Sequence, residues 1–313
     1  MSERFQAVTG ARAALRTRPG RGLVRATGAD RVRFLNGMLT ADVARLGAGQ
    51  AAPALQLDRK GHVQAELWLL AEADALLLDV APGCEAELTK TLEKHVIADD
   101  VAFASETASV AFLSLEGPGA RDAVRALGAP APEPGRFERA DFAGAPVVWL
   151  GEGELGPEGL RAIAARAVAG ELAARLALPA LSDADAEVLR IDAAIPALGR
   201  DVGPRNFPQE ARLERAVSFK KGCYVGQEIV ARIASRGAVN RVLVKLATER
   251  PVAPGAEVSA DGVVVGEVTS SAESLATGAI ALAYVKVDKA VVGQRVAVSG
   301  VSGEVAGAGD TRA

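Results

Sequence analysis

Apolar and polar positions along the chain change period several times, and the changes mark out its elements. Residues 28 to 46 place Phe34, Leu35, Met38, Leu39, Val43 and Leu46 at helical spacing. This predicts one or two short amphipathic helices, with Asp30 as the first N-cap, a break near Gly37 and Thr40 as a second cap. From 54 to 80 the period becomes that of strands, in ALQL, the turn DRKG, HVQAELWLLA and DALLLDV. Helical spacing returns in CEAELTKTLEKHVIA through Leu88, Leu92 and Val96, and VAFLSLEGPGARDAVRAL repeats the strand-then-helix pattern. The Pro-, Gly- and charge-rich stretch 128–142 reads as a surface loop, followed by the strand APVVWL and a long Ala-rich helix over about 157–176. Ser182 with Asp185 resembles a capping box for the helix DADAEVLRIDAAI, and beyond Pro196 the chain turns irregular. After Arg241 the pattern is wholly β, with Asp261-Gly262 at a hairpin turn. The class is α+β, with a separate antiparallel barrel or sandwich at the C-terminal end.

Composition narrows the possible functions. A chain of 313 residues is about twice the ~150-residue prior for one domain, so two or three packing units are expected. With 49% hydrophobic residues, a formal net charge of -3 and a pI near 5.7, it is a folded chain without a basic nucleic-acid footprint, so no direct nucleic-acid contact is expected. Two cysteines, Cys84 and Cys223, and two histidines, His62 and His95, exclude a disulfide framework, a zinc cluster and a four-thiolate iron-sulfur centre within the chain. No metal site is expected. The N-terminus has no apolar signal core, and carboxylates interrupt LWLLAEADALLLDV well before the roughly 18 apolar residues of a membrane span. A cytoplasmic monomer is the resulting expectation.

Candidate chemistry concentrates in Phe219-Lys220-Lys221-Gly222-Cys223-Tyr224-Val225-Gly226-Gln227-Glu228-Ile229-Val230-Ala231-Arg232. A thiol beside Lys220 and Lys221 and just before a helix start has its thiolate favoured by the cations and by the helix dipole. Gly222 and Gly226 let a ligand approach the backbone. The same spacing also fits Cys223 as a small buried filler and the glycines as turn residues, since free cysteine is among the most buried residue types. Cys84, at the start of an ordinary amphipathic helix, reads as structural. Gly151-Glu152-Gly153-Glu154-Leu155-Gly156 is formally a dinucleotide fingerprint, but Glu152, Glu154 and Glu158 would repel phosphates and Pro157 follows at once. The histidines lack an acid or nucleophile at motif spacing, and Asp99-Asp100 reads as a solvated helix-end turn.

KKGCYVGQEIVAR, followed by RGAVNR (Arg236 to Arg241), resembles the signature of the YgfZ family of folate-binding proteins, relatives of the glycine-cleavage aminomethyltransferase, or T-protein. Further segments agree in order: GADRVRFLNGMLTADVARL, LDRKGHVQAELWLL, LEGPGA, LRIDAAIPALGRDV and GAIALAYVKV. The resemblance runs along nearly the whole chain, most closely over about 187–241. It implies a three-lobed ring of two α+β lobes, a folate-binding region over 1–236, and a C-terminal antiparallel β-barrel over 237–313. It further implies tetrahydrofolate as cofactor and a role in assembly or repair of iron-sulfur client enzymes, including those that modify tRNA. Cys223 would be the reactive group, and Lys221, Gly222, Tyr224, Gly226, Gln227, Glu228, Arg232 and Arg190 the binding residues. Lys221, Arg190 and Arg232 would supply the cations that an anionic glutamate tail needs. The alternative is folate-dependent aminomethyl transfer of the glycine-cleavage type. Against it stand two departures from the T-protein. Gln64 and Ala65 lie near the place of its strand Asp, and Arg161 replaces the last carboxylate of a loop echoed by Gly153, Gly156 and Gly159. The acid at the folate amine is therefore expected to be missing, with Glu66 or Asp99 as the substitutes if transfer occurs.

Overall fold

Alternation along single strands decides which layers meet. The computed structural model describes residues 2–308 apart from Ala238 and Leu275. Helix α1 (Ser2–Thr9) and strand β1 (Ala14–Thr17) open the chain. The first lobe follows with β2 (Gly22–Thr27), α2 (Arg31–Met38), β3 (Ala51–Leu57), β4 (Val63–Ala71), β5 (Leu76–Val80), α3 (Glu85–Lys94) and β6 (Ala102–Ser105). Its strands pair antiparallel in the order β3-β4-β5-β2-β6. The second lobe holds β7 (Val110–Glu116), α4 (Ala120–Ala126), β8 (Phe137–Phe142), β9 (Ala145–Leu150), β10 (Leu160–Ala165) and α5 (Arg166–Leu176). It takes β1 as an edge, giving the order β1-β7-β10-β9-β8.

In β4, Ala65, Leu67 and Leu69 lie against α2 and α3 through Leu35, Met38, Leu88 and Leu92. Trp68 and Leu70 point the other way, into Phe112, Val148, Leu150 and Ile163 of the second sheet. The two sheets thus stack face to face with their helices outside, and a strand buried on both faces reads as a continuous apolar run. Each large aliphatic side chain buried this way contributes about 1.5–3 kcal/mol.

Helix α6 (Asp183–Asp192) is capped by Ser182 Oγ accepting from the Asp185 N–H at 3.0 Å, the arrangement expected from sequence. An irregular stretch and α7 (Gln227–Arg236) then lead to β11 (Arg241–Thr248), β12 (Glu257–Ala260), β13 (Val263–Ser274), β14 (Gly278–Lys286), β15 (Arg295–Val298) and β16 (Val301–Ala308). These six close into an antiparallel barrel, filled mainly by valine and attached to α6 through Leu243, Ile280 and Leu282. Asp261 (φ 52°) and Gly262 (φ 78°) form its hairpin turn.

Several expectations need correction. The helix expected over 157–176 begins at Arg166, and Leu160–Ala165 is a strand. Leu160, Ala162 and Ala164 fill the second lobe's core while Ile163 fills the inter-sheet core, so tertiary packing overrides the helix preference of alanine. Within the supposed loop, Phe137–Phe142 pairs with β9 across a turn at Ala143 (φ 53°) and Gly144 (φ 81°). Thr40 caps no helix; it is buried, accepting from the Leu55 N–H and donating to the Ala216 carbonyl. The break expected near Gly37 falls one residue on, where α2 ends at Met38. His62 does have an acid partner, Asp58 at 3.1 Å, closing the DRKG turn.

Candidate functional site

The sheets and α6 enclose a central cavity of 230 Å³. Its walls come from β4 (Glu66, Trp68), Arg16 on β1, the connector between β1 and β2 (Arg18, Arg21), the 151–159 loop, Arg161 on β10, Glu187 and Arg190 on α6, and Arg215. Six arginines line the cavity beside three carboxylates, Glu66, Glu154 and Glu187, and five of the six also pair with carboxylates outside that lining, Asp79, Glu152, Asp183 and Asp201. Arg18 also lines two adjoining cavities of 710 and 420 Å³, which extend the space toward the surface.

Buried ion pairs hold this lining in place. Asp79, 1% exposed, accepts from Arg21 Nε at 2.6 Å and from Arg161 Nη1 at 2.9 Å. Arg18 and Arg21 both reach Glu154, while Arg161 Nε donates to the Glu152 carbonyl and the Glu152 carboxylate pairs with Arg215. Arg161 and Arg215 lie 4.6 and 5.7 Å from the Trp68 ring centroid, within cation-π range. Burial lowers the Arg161 pKa against the pull of Asp79.

The loop itself hangs on Glu116 at the end of β7. This fully buried carboxyl accepts from the N–H groups of Glu154 at 2.7 Å and Leu155 at 3.2 Å, and from the Ser114 hydroxyl. A Cβ on Gly153 or Gly159 would come within 2.5 or 2.8 Å of Glu116 Oε2. Gly153 of the formal dinucleotide fingerprint, with Gly159 beyond it, therefore makes room for a carboxylate. Burial pushes the Glu116 carboxyl up to about 7.

Glu66 corrects the expectation of a missing acid. The pleat turns Ala65 under the helices and leaves Gln64 outside, hydrogen-bonded to Pro204, so the carboxylate that enters the cavity is Glu66. It makes no side-chain hydrogen bond among the described residues, and burial raises its pKa against the nearby Arg21, Arg215 and Arg161. Asp99 is elsewhere, paired with Arg33 at 2.5 Å.

The signature segment forms a second locus. Lys221 Nζ donates to the carbonyls of Asn36 (2.5 Å), Leu39 and Ala41 (both 2.7 Å) at the end of α2, and burial lowers its pKa to about 8. Tyr224 is buried with Lys221 over its ring at 5.1 Å. Gly226 takes φ 85°, where a Cβ would meet the Asp58 carbonyl at 2.5 Å. These anchors leave Gly222 and Cys223 exposed, which removes the buried-filler alternative. Among the expected site residues only Arg190 lines the central cavity. Lys221 cannot supply a cation there because carbonyls consume its ammonium, and Glu228 and Arg232 stand exposed on α7. Arg190 is engaged as well, by Glu187 and Asp201. Cys84 is partly buried and lines a separate cavity of 520 Å³ with His95 and Val225.

Sequence reasoning missed Arg16, Arg18, Arg21, Trp68, Asp79, Glu116 and Arg215. The available signals were the run RTRPGR and the single carboxylates inside the apolar strands LLLDV and VAFLSLE.

This architecture, two stacked α+β lobes that enclose an arginine-rich cavity with α6, followed by a closed barrel, defines a class. Residues 20–221 match the GCVT N-terminal domain and residues 241–307 the glycine cleavage T-protein C-terminal barrel domain. The chain belongs to the YgfZ/GcvT-like family. It is 31% identical over 300 residues, 91% of its length and 68% of the other's, to an Arabidopsis thaliana protein named "Putative transferase At1g60990, chloroplastic". It is 30% identical over 241 residues to the tRNA-modifying protein YgfZ of Yersinia enterocolitica, covering 74% of this chain and 70% of that one. The glycine cleavage system aminomethyltransferase T of Bartonella henselae shares the fold, with a TM-score of 0.83 and 22% identity over 97% of this chain and 87% of that one. No helix among the described residues is long and apolar enough to cross a membrane.

Proposed function

We propose that the central cavity binds tetrahydrofolate and that the protein supports the assembly or repair of iron-sulfur enzymes, including those that modify tRNA. The observation that carries the folate reading is Glu66, a carboxylate with no side-chain hydrogen bond among the described residues, beside Trp68 in an arginine-rich cavity. A pterin offers a flat ring with an N–H donor edge, which suits an indole face and a free carboxylate, while the anionic glutamate tail suits Arg16 and Arg18 in the adjoining cavities. When bound, the folate supplies an amine able to accept a one-carbon unit. Glu66 can hold or release a proton there, and Arg21 and Arg161, fixed on Asp79, keep its surroundings positive. The exposed Cys223, on a segment anchored by Lys221 and Tyr224, is the group presented to client proteins. The folate-binding region spans 1–236, and the C-terminal domain over 237–313, whose described residues do not line the cavity, carries no chemistry of its own. The protein acts as a monomer in the cytoplasm.

Calorimetric titration with tetrahydrofolate tests the reading, and excess ligand should also raise the melting temperature. Glu66→Gln should weaken binding about tenfold or more, the size of a hydrogen bond to a charged group. Absence of heat and of any thermal shift at millimolar ligand would refute it.

Glu66 also favours a second reading, aminomethyl transfer to the folate with release of ammonia, because it restores the acid this reaction needs. Ammonia release from an aminomethyl-lipoyl carrier, dependent on tetrahydrofolate and lost in Glu66→Gln, would decide for it.

A further inference from the structure

Three guanidinium groups act on Glu66, and one of them differs from the others. Arg21 and Arg161 are both tied to buried Asp79. Arg215 has a single carboxylate partner, Glu152 at 2.5 Å, and its side chain is 37% exposed. It belongs to neither sheet, sitting instead in the short turn Glu214–Ala216 of the irregular stretch. Its guanidinium carbon lies 5.7 Å from the Trp68 ring centroid, and Trp68 is only 4% exposed. A flat ring placed between indole and guanidinium needs about 7 Å, two van der Waals contacts of about 3.5 Å each. Arg215 is thus roughly 1 Å too close to admit one and, of the three guanidinium groups that act on Glu66, is the one not tied to Asp79.

We propose that Arg215 is a movable clamp that withdraws from Trp68 to admit a flat amino-heterocycle and then closes on the ring's outer face. Trp68 forms the inner face and Glu66 takes the ring's N–H edge. The pterin as the ring rests on the folate reading above. The Glu152 pair holds the clamp in its ligand-free position and competes with closure.

A rigid strut and a clamp respond differently to two substitutions that break the same ion pair. As a strut, Arg215→Ala and Glu152→Gln would harm binding alike. As a clamp, Arg215→Ala should raise the Kd for tetrahydrofolate about tenfold, the scale of a desolvated cation-π contact. Glu152→Gln should leave the Kd unchanged or lower it, and Arg215→Lys should fall between, since an ammonium keeps the charge without the stacking plane. Titration with pterin-6-carboxylate isolates the ring from the tail. In a Trp149→Phe background Trp68 is the remaining tryptophan. Its emission should shift to the red in ligand-free Arg215→Ala and be quenched by the pterin. Thermal melts confirm folding of each variant. If the wild type binds and Arg215→Ala binds equally well, or both variants lose affinity together, the clamp is refuted while the folate reading stands. If the wild type binds neither tetrahydrofolate nor pterin-6-carboxylate, the folate reading falls and the clamp with it.

Discussion

Replacing Glu116 by glutamine should reshape the pH dependence of stability. The carboxyl is 2% exposed, and burial lifts its pKa from 4.5 to about 7, with the nearby Glu154 carboxylate adding to the rise and the Ser114, Glu154 and Leu155 donors opposing it. Between these values the folded chain keeps a proton that the unfolded chain has released, so stability must fall as pH rises through the window. A rise of about 2.5 pKa units corresponds to a loss of about 3 kcal/mol between pH 4 and 8. Glutamine carries no titrating proton and keeps one carbonyl oxygen to accept from Ser114 and Glu154, while its amide N–H group faces the Leu155 N–H, a pH-independent cost. Its stability should therefore lack this slope. Urea unfolding followed by far-ultraviolet circular dichroism at pH 5, 6, 7 and 8 measures both proteins. The difference between the two curves isolates Glu116 from Glu66, whose raised pKa acts in the same direction. The variant should gain on the wild type by up to about 3 kcal/mol from pH 5 to 8. Parallel curves would show that Glu116 is ionised throughout and that the loop donors outweigh burial.

Iodoacetamide should label Cys223 faster than Cys84, as mass mapping can show, because Cys223 is exposed while burial and the neighbouring Glu66 raise the Cys84 pKa. Cys223→Ala should impair recovery of iron-sulfur enzyme activity in cells lacking the native protein, with the melting temperature nearly unchanged, and full rescue would count against the exposed thiol. Lys221→Met removes the buried donor from the Asn36 and Leu39 carbonyls, Ala41 keeping the Val43 N–H, and should cost about 2–3 kcal/mol in denaturant unfolding while exposing the 218–226 segment to proteases. Gly226→Ala should destabilise by more than about 1 kcal/mol, since it combines a positive φ with contact on the Asp58 carbonyl.

The strands between 54 and 80, the barrel and the start of α6 were legible in the sequence because each rests on local periodicity or on a cap. The Ser182–Asp185 box and the Asp261-Gly262 turn need only neighbours a few residues apart. The central cavity was not legible, because its contacts join distant positions: Arg21 with Asp79, Asp79 with Arg161, Glu152 with Arg215. The densest motif, around Cys223, drew attention away from the cavity, and its lysine proved to be a backbone anchor. Glu66 was within reach of sequence reasoning. Strand alternation from Leu67 and Leu69 places it opposite the helices, a stronger guide than counting residues from a turn.

Glu116 grips the 151–159 loop by main-chain N–H groups, and the two glycines it touches have no side chains to lose. The path of that loop is therefore encoded outside the loop, in one residue of a neighbouring strand. Side chains at 152, 154 and 158 can be exchanged without losing the contacts that set the loop's backbone, so the charge of this wall can change by point substitution while the loop keeps its path, at the cost of the ion pairs to Arg215, Arg18 and Arg21.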